Sequence, residues 1–136
     1  MQDEIKMLKM DRINRYETIF IVDAGLPEEE VKAAADKFIN WLKEHGAKIV
    51  AVVDWGRKKF AYPIKKKEYG RYFVVEFDAP RHLIHDLETE YLRDERILRF
   101  LTTKLDKYAI EWNERWRKRI KEEQTKSKRS QTAKTR

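Results

Sequence analysis

Three observations predict an α+β fold. Apolar residues alternate with a period of two in four stretches and follow helical spacing in two others, in the order β-α-β-β-α-β. Both helical stretches open on a proline, Pro27 and Pro80. A further proline, Pro63, lies in the second strand stretch, where its missing N–H suits an edge strand or a bulge. The compact solution for this order is a four-stranded antiparallel sheet with two helices on one face, the ferredoxin-like split βαβ arrangement. Its first and third strands are central, its second and fourth are edges, and both crossovers are right-handed.

Residues 1–14 form an N-terminal extension. Ile5, Met7, Leu8, Met10 and Ile13 allow a short amphipathic turn there, and a frayed segment is the competing reading. Tyr16 to Val22 is rich in β-branched and aromatic residues and reads as the first strand. Tyr16, Thr18, Phe20 and Val22 share one face, and Glu17, Ile19 and Ile21 the other. Both faces are largely apolar, as a central strand requires. Asp23-Ala24-Gly25 ends it.

Pro27 precedes Glu28, Glu29 and Glu30, acids that favour the positive end of a helix dipole. Val31, Ala34, Ala35, Phe38, Ile39 and Leu42 keep helical spacing, and Gly46 supplies a left-handed stop. Lys48 to Val53 is the second strand. Gly56, within strand-like sequence, predicts a bulge or sharp bend. Glu68-Tyr69-Gly70 is read as the turn before a third strand, Tyr72 to Phe77, with Phe73, Val75 and Phe77 on its core face. The second helix carries Leu83, Ile84, Leu87, Tyr91 and Leu92, and Arg93-Asp94-Glu95-Arg96 is a polar turn. Ile97 to Leu105 is the fourth strand, with Leu98, Phe100 and Thr102 inward and Arg99 opposite. The helix-free sheet face would leave Ile19, Ile21 and Val74 needing cover, from the tail helix or a partner.

The domain thus spans 15–105, and 106–136 is a C-terminal helix and basic tail. Tyr108, Trp112, Trp116 and Ile120 lie four apart, which predicts a short helix with an aromatic ridge. Trp112 and Trp116 suit stacking on bases or burial against the sheet or a partner, the second being the commoner fate. Beyond Glu123 the chain is polar and aperiodic, and it reads as a flexible tail, disordered in isolation.

Composition narrows the function. The chain has no cysteine, which excludes disulfides and thiolate metal sites. No apolar run approaches the ~20 residues of a membrane span, and Met1 to Asp11 lacks a signal peptide's apolar core. The net charge of +7 is unevenly placed: residues 117–136 hold nine Lys/Arg against two acids, so 1–116 are formally neutral. Clustering must therefore create any anion-binding surface on the body. Such a cluster exists in Gly56-Arg57-Lys58-Lys59-Phe60-Ala61-Tyr62-Pro63-Ile64-Lys65-Lys66-Lys67, which has six cations and no carboxylate. Phe60, Tyr62 and Ile64 alternate within it, so one face can anchor in a core. The stretch reads as a cationic hairpin arm. Polyanion contact is its functional reading, and protection of an edge strand its structural one.

Arg15-Tyr16-Glu17, the stretch from Gly56 to Lys65, Gly70, and Leu92-Arg93-Asp94-Glu95-Arg96-Ile97-Leu98-Arg99 together resemble the family of bacterial small-subunit ribosomal protein six. The resemblance covers about Arg15 to Leu105, and the glycine-to-isoleucine stretch is its most specific part. Phe60 stands where that family usually has leucine, and residues 1–14 and 106–136 exceed its typical body. The resemblance implies a ferredoxin-like structural component without catalysis or cofactor. It also implies binding to the central domain of small-subunit ribosomal RNA, alongside ribosomal protein eighteen of that subunit. Location on a ribosome follows, and a bacterial cytoplasmic or an organellar source fits equally.

On that reading the RNA-binding candidates are Arg15, Arg57, Lys58, Lys59, Lys65, Lys66, Lys67, Arg93, Arg96 and Arg99. Arg93 and Arg99 are favoured because guanidinium grips phosphate bidentately. The competing reading pairs Arg93 and Arg96 with Asp94 or Glu95. Trp55, Phe60 and Tyr62 are candidates for the protein partner, with core packing as the alternative for each. The basic tail is read as an RNA-grabbing extension that orders on assembly, against a merely solubilising role. A small ligand-binding or regulatory ferredoxin-like domain is the alternative function, and it would need a polar pocket-lining constellation that the sequence lacks. An enzyme would need a base–nucleophile pair or phosphate loop, and neither appears. His82 and His85, three apart on a helix, lack a third metal ligand.

Overall fold

The computed structural model describes residues 12–134, with side chains through 122, so most of the possible N-terminal turn lies outside the described residues. The elements are β1 (Ile13–Asp23), α1 (Glu28–Glu44), β2 (Lys48–Ile64), β3 (Lys67–Pro80), α2 (Arg81–Arg93), β4 (Ile97–Lys104) and α3 (Lys107–Lys134). The strands make one antiparallel sheet in the order β2-β3-β1-β4. β1 and β3 are therefore central, and Pro63 sits on an edge strand. Two compact units divide the chain, one through Lys104 and one from Leu105.

The main core lies between the helices and one sheet face. Tyr16, Thr18, Phe20 and Val22 of β1 are buried there with Phe73, Val75 and Phe77 of β3. Val31, Ala34, Ala35, Phe38 and Leu42 come from α1, and Leu83, Leu87 and Tyr91 from α2. Phe38 and Tyr91 meet at 4.7 Å between ring centroids, and Tyr91 stacks on Phe100 at 5.0 Å. Burying the Tyr91 hydroxyl requires a partner. It finds one in Thr18 Oγ1 at 2.9 Å, which in turn meets Thr102 Oγ1 at 2.9 Å. Burial pushes the Tyr91 phenol above its ordinary pKa.

Gly46 stops α1 as expected, at φ 90°. The N–H of Ala47 donates to Leu42 O at 2.9 Å and that of Gly46 to Lys43 O at 3.2 Å, the Schellman pattern. The α2–β4 turn is closed by Asp94, whose side chain is 6% exposed. Its carboxylate accepts from Arg96 Nε at 3.0 Å, Arg96 Nη2 at 2.8 Å, the Arg96 backbone N–H at 3.0 Å and Lys37 Nζ at 3.0 Å. The Arg96 guanidinium foremost, opposed by burial, holds this carboxyl well below the usual range. An acid with a depressed native pKa stabilises the fold above its unfolded pKa of ~4, and the contribution fades as pH falls through the native value. Asp94→Asn should therefore cost about 1.5–3 kcal/mol at pH 7. Urea melts at pH 7 and pH 3 should show the gap to the parent chain narrowing in acid.

Four local expectations need correction. The hairpin turn is Lys65-Lys66, not Glu68-Tyr69-Gly70, because β3 already begins at Lys67. Tyr62 does not share the anchoring of Phe60 and Ile64. The β2–β3 register is irregular between Lys59 and Ile64, which breaks the strict alternation and leaves Tyr62 84% exposed. Leu98 faces away from the helices, while Ile97 joins the main core. A register shift pairs Ile21 with Arg99 but Val22 with Ile97, so Leu98 is the extra residue of a bulge. Finally, α3 runs to Lys134, past the Glu123 limit read from composition. Residues 123–134 contain no glycine or proline to stop a helix, and they include several good helix formers.

Candidate nucleic-acid interface

β2 and β3 continue past the body as a two-stranded arm. At its base Trp55 is the bulged residue, since Asp54 pairs with Phe73 and Gly56 with Tyr72. Gly56 has φ 82°, and its N–H donates to Asp54 Oδ1 at 2.8 Å. Arg71 braces this base. Its Nε and Nη2 reach Asp54 at 3.0 and 2.6 Å, and its Nη1 reaches Glu28 on α1 at 2.8 Å. The Arg71 guanidinium holds the Asp54 carboxyl below its ordinary pKa. Sequence reading missed Arg71, because pairing it with Asp54 requires the bulged register.

Further out, the arm lies back on the sheet's helix-free face. Phe60, 9% exposed, packs with Ile21 of β1 and Leu98 of β4, and Ile64 and Tyr72 flank them. Gly70 makes this possible. A Cβ there would lie 2.5 Å from Phe60 Cζ and closer still to Ile21 Cγ2. The cover that the open face needed thus comes partly from the arm's own Phe60, in the core packing that was the alternative reading for this residue.

Ile64 pairs with Lys67, which leaves Lys65-Lys66 as a two-residue loop with φ 49° and 65°. Such loops favour Asn-Gly, because lysine in the left-handed region costs roughly 1–2 kcal/mol per residue. Lys65→Asn with Lys66→Gly should accordingly stabilise the chain by about 1–2 kcal/mol in urea melts.

The other cations divide into free and committed groups. Lys59, Lys65 and Lys66 are exposed and form no ion pair among the described residues. Arg57 lies 4.2 Å from the Tyr69 ring centroid, and Lys58 lies 5.0 Å from that of Trp55. Lys67 pairs with Asp23 at 3.3 Å. Arg99 is exposed on the helix-free face of β4, beside Leu98, so the Phe60 cluster brings it to the arm's end of the sheet. Arg93 is 72% exposed, with a single long contact of 3.5 Å to Glu90. Arg96 is tied to Asp94, as the competing reading had it. Arg15 lies at the far end of β1, where it bonds Asp78 at 2.5 Å and Glu76 at 3.4 Å. His82 and His85 are exposed on α2, and no group of three metal-ligating side chains occurs among the described residues. Trp55 (41%) and Tyr62 (84%) remain exposed along β2.

The molecule is thus a ferredoxin-like α+β domain carrying a cationic β-arm. A family model for ribosomal protein S6 matches residues 15–104. The small ribosomal subunit protein bS6 of Flavobacterium psychrophilum is 47% identical over 109 residues, covering 80% of this chain and 96% of that one. The bS6 protein of Porphyromonas gingivalis is 49% identical over 100 residues, covering 74% and 86%. The crystal structure of 30S ribosomal protein S6 from Thermotoga maritima superposes with a TM-score of 0.69 at 30% identity, covering 79% of this chain and 99% of that one. The chain belongs to the ribosomal protein S6 family.

Proposed function

We propose that the chain is a structural constituent of the small ribosomal subunit that binds the central domain of its RNA through the β-arm, next to ribosomal protein eighteen. The observation carrying this is the concentration of uncommitted cations at one end of the sheet. Lys59, Lys65, Lys66 and Arg99 have no carboxylate partner among the described residues, although the body is formally neutral. Cations held along a phosphate backbone release counterions and give affinity without base reading. Arg57 and Lys58, propped on Tyr69 and Trp55, extend the same surface. Arg93 adds a guanidinium at the end of α2, whereas Arg15 and Arg96 are taken up by buried carboxylates and the half-exposed Lys67 pairs with Asp23.

The protein partner takes the exposed edge of β2, where Trp55 and Tyr62 offer aromatic area that the core does not use. As a constituent of the small subunit the protein sits on the ribosome, in a bacterial cytoplasm or in an organelle. Chemical footprinting of the small-subunit RNA with and without ribosomal protein eighteen tests the reading. Protection within the central domain that strengthens when the partner is added supports it. Protection elsewhere, or none, rules it out.

A further inference from the structure

The helix α3 lies beyond the region that the family model matches, and the arm's function leaves it unexplained. Asp106 caps it, accepting the N–H of Ala109 at 2.7 Å. Tyr108, Trp112 and Trp116 follow at successive intervals of four, so they form one ridge. They are 80%, 64% and 38% exposed. Such large rings left in water are costly unless something covers them. Arg115 and Arg119 lie along the same ridge by helical spacing. Trp112, Arg115, Trp116, Lys118, Arg119 and Glu122 line one surface groove.

We propose that this face of α3 is a second RNA-binding surface, distinct from the arm, which takes an unpaired RNA segment by stacking bases on Trp112 and Trp116. It rests on the reading of the chain as a ribosomal RNA-binding protein and adds the kind of RNA and the residues. Two features select the occupant. The cationic rim of Arg115, Lys118 and Arg119, in a stretch whose sequence from 117 to 136 carries nine Lys/Arg against two acids, complements a polyanion better than an apolar protein patch. Successive rings are offset by ~6 Å along the helix, four residues at 1.5 Å each. Bases in a duplex strand stack at ~3.4 Å and hide their faces, so rings at this wider interval suit splayed, single-stranded nucleotides. Guanidinium groups beside the rings then meet the phosphates between such bases.

The test uses the full chain, a 12-nucleotide oligouridylate and a duplex RNA of the same length. The parent chain should prefer the single strand, and binding should quench tryptophan fluorescence. Trp112→Leu with Trp116→Leu keeps apolar area and helix propensity but removes the π-faces. It should weaken oligouridylate binding about tenfold or more while changing duplex binding less than twofold. Trp112→Phe with Trp116→Phe should recover part of the loss. Equal single-strand affinity in the leucine variant overturns the proposal, and so does an equal loss on both RNAs. Undiminished oligouridylate binding combined with loss of a ribosomal protein from the assembled subunit would assign the ridge to a protein instead, which also overturns it. Lys59, Lys65 and Lys66 changed to glutamine serve as the independent arm variant. Failure of the arm reading leaves that variant's central-domain footprint unchanged, whatever the tryptophan variants do.

Discussion

Replacing Gly70 by alanine is expected to destabilise the body by about 1–3 kcal/mol and to lift the arm from the sheet. The backbone at Gly70 is ordinary, so the cost is steric and comes from side chains on two other strands. The new methyl would meet Phe60 Cζ and Cε1 on one side and Ile21 Cγ2 on the other. The variant therefore has a specific remedy. Leucine in place of Phe60 lacks both offending ring atoms, so Phe60→Leu should recover part of the lost stability in the Gly70→Ala background. In the parent chain the same change should only cost stability, because it leaves a void beside Ile21 and Leu98. Urea melts of the four chains give the coupling energy. Purely additive losses would mean that Phe60 does not pack over Gly70.

The second large effect concerns binding. Lys59, Lys65 and Lys66 changed together to glutamine should weaken binding to the central-domain RNA and lower the dependence of log affinity on log salt by about one per lysine. Stability should hardly change, since none of the three is buried or paired among the described residues. Arg96→Gln should behave in the opposite way. Its guanidinium holds Asp94, so the melt suffers while the salt slope stays. Titrations at several salt concentrations separate the two kinds of arginine and lysine that the sequence alone had grouped together.

The element order and the sheet's central strands were legible because burial repeats at fixed periods. β1 shows apolar residues on both faces, and α1 shows its stripe, its opening acids and its glycine stop. What escaped were features that depend on register. Gly56 signalled the bulge at Trp55, but the bulge at Leu98 and the irregular pairing between Lys59 and Ile64 left no mark, and each changes which residues share a face. A two-residue turn made of lysines carries no turn signature, so Glu68-Tyr69-Gly70 attracted the assignment instead. The site was legible as a cluster of charges but not as a division of labour. The neighbouring Asp94 and Glu95 raised the pairing of Arg96 only as an alternative, and the fold decides it: Arg96 closes onto Asp94, while Arg99, three residues later, is exposed and unpaired among the described residues. Gly70 stood out in the sequence through resemblance and as a supposed turn residue, whereas its reason lies in a ring ten residues away.

The chain has no cysteine, so single cysteines can carry a tethered hydroxyl-radical source at chosen points. Probes attached through Lys65→Cys at the arm's tip and Asp36→Cys on the exposed side of α1 should be compared in assembled small subunits. Strong, localised cleavage of central-domain RNA from position 65, with little from position 36, is the predicted result. Cleavage from position 36 with none from position 65 would contradict the account, because the arm would then point away from the RNA.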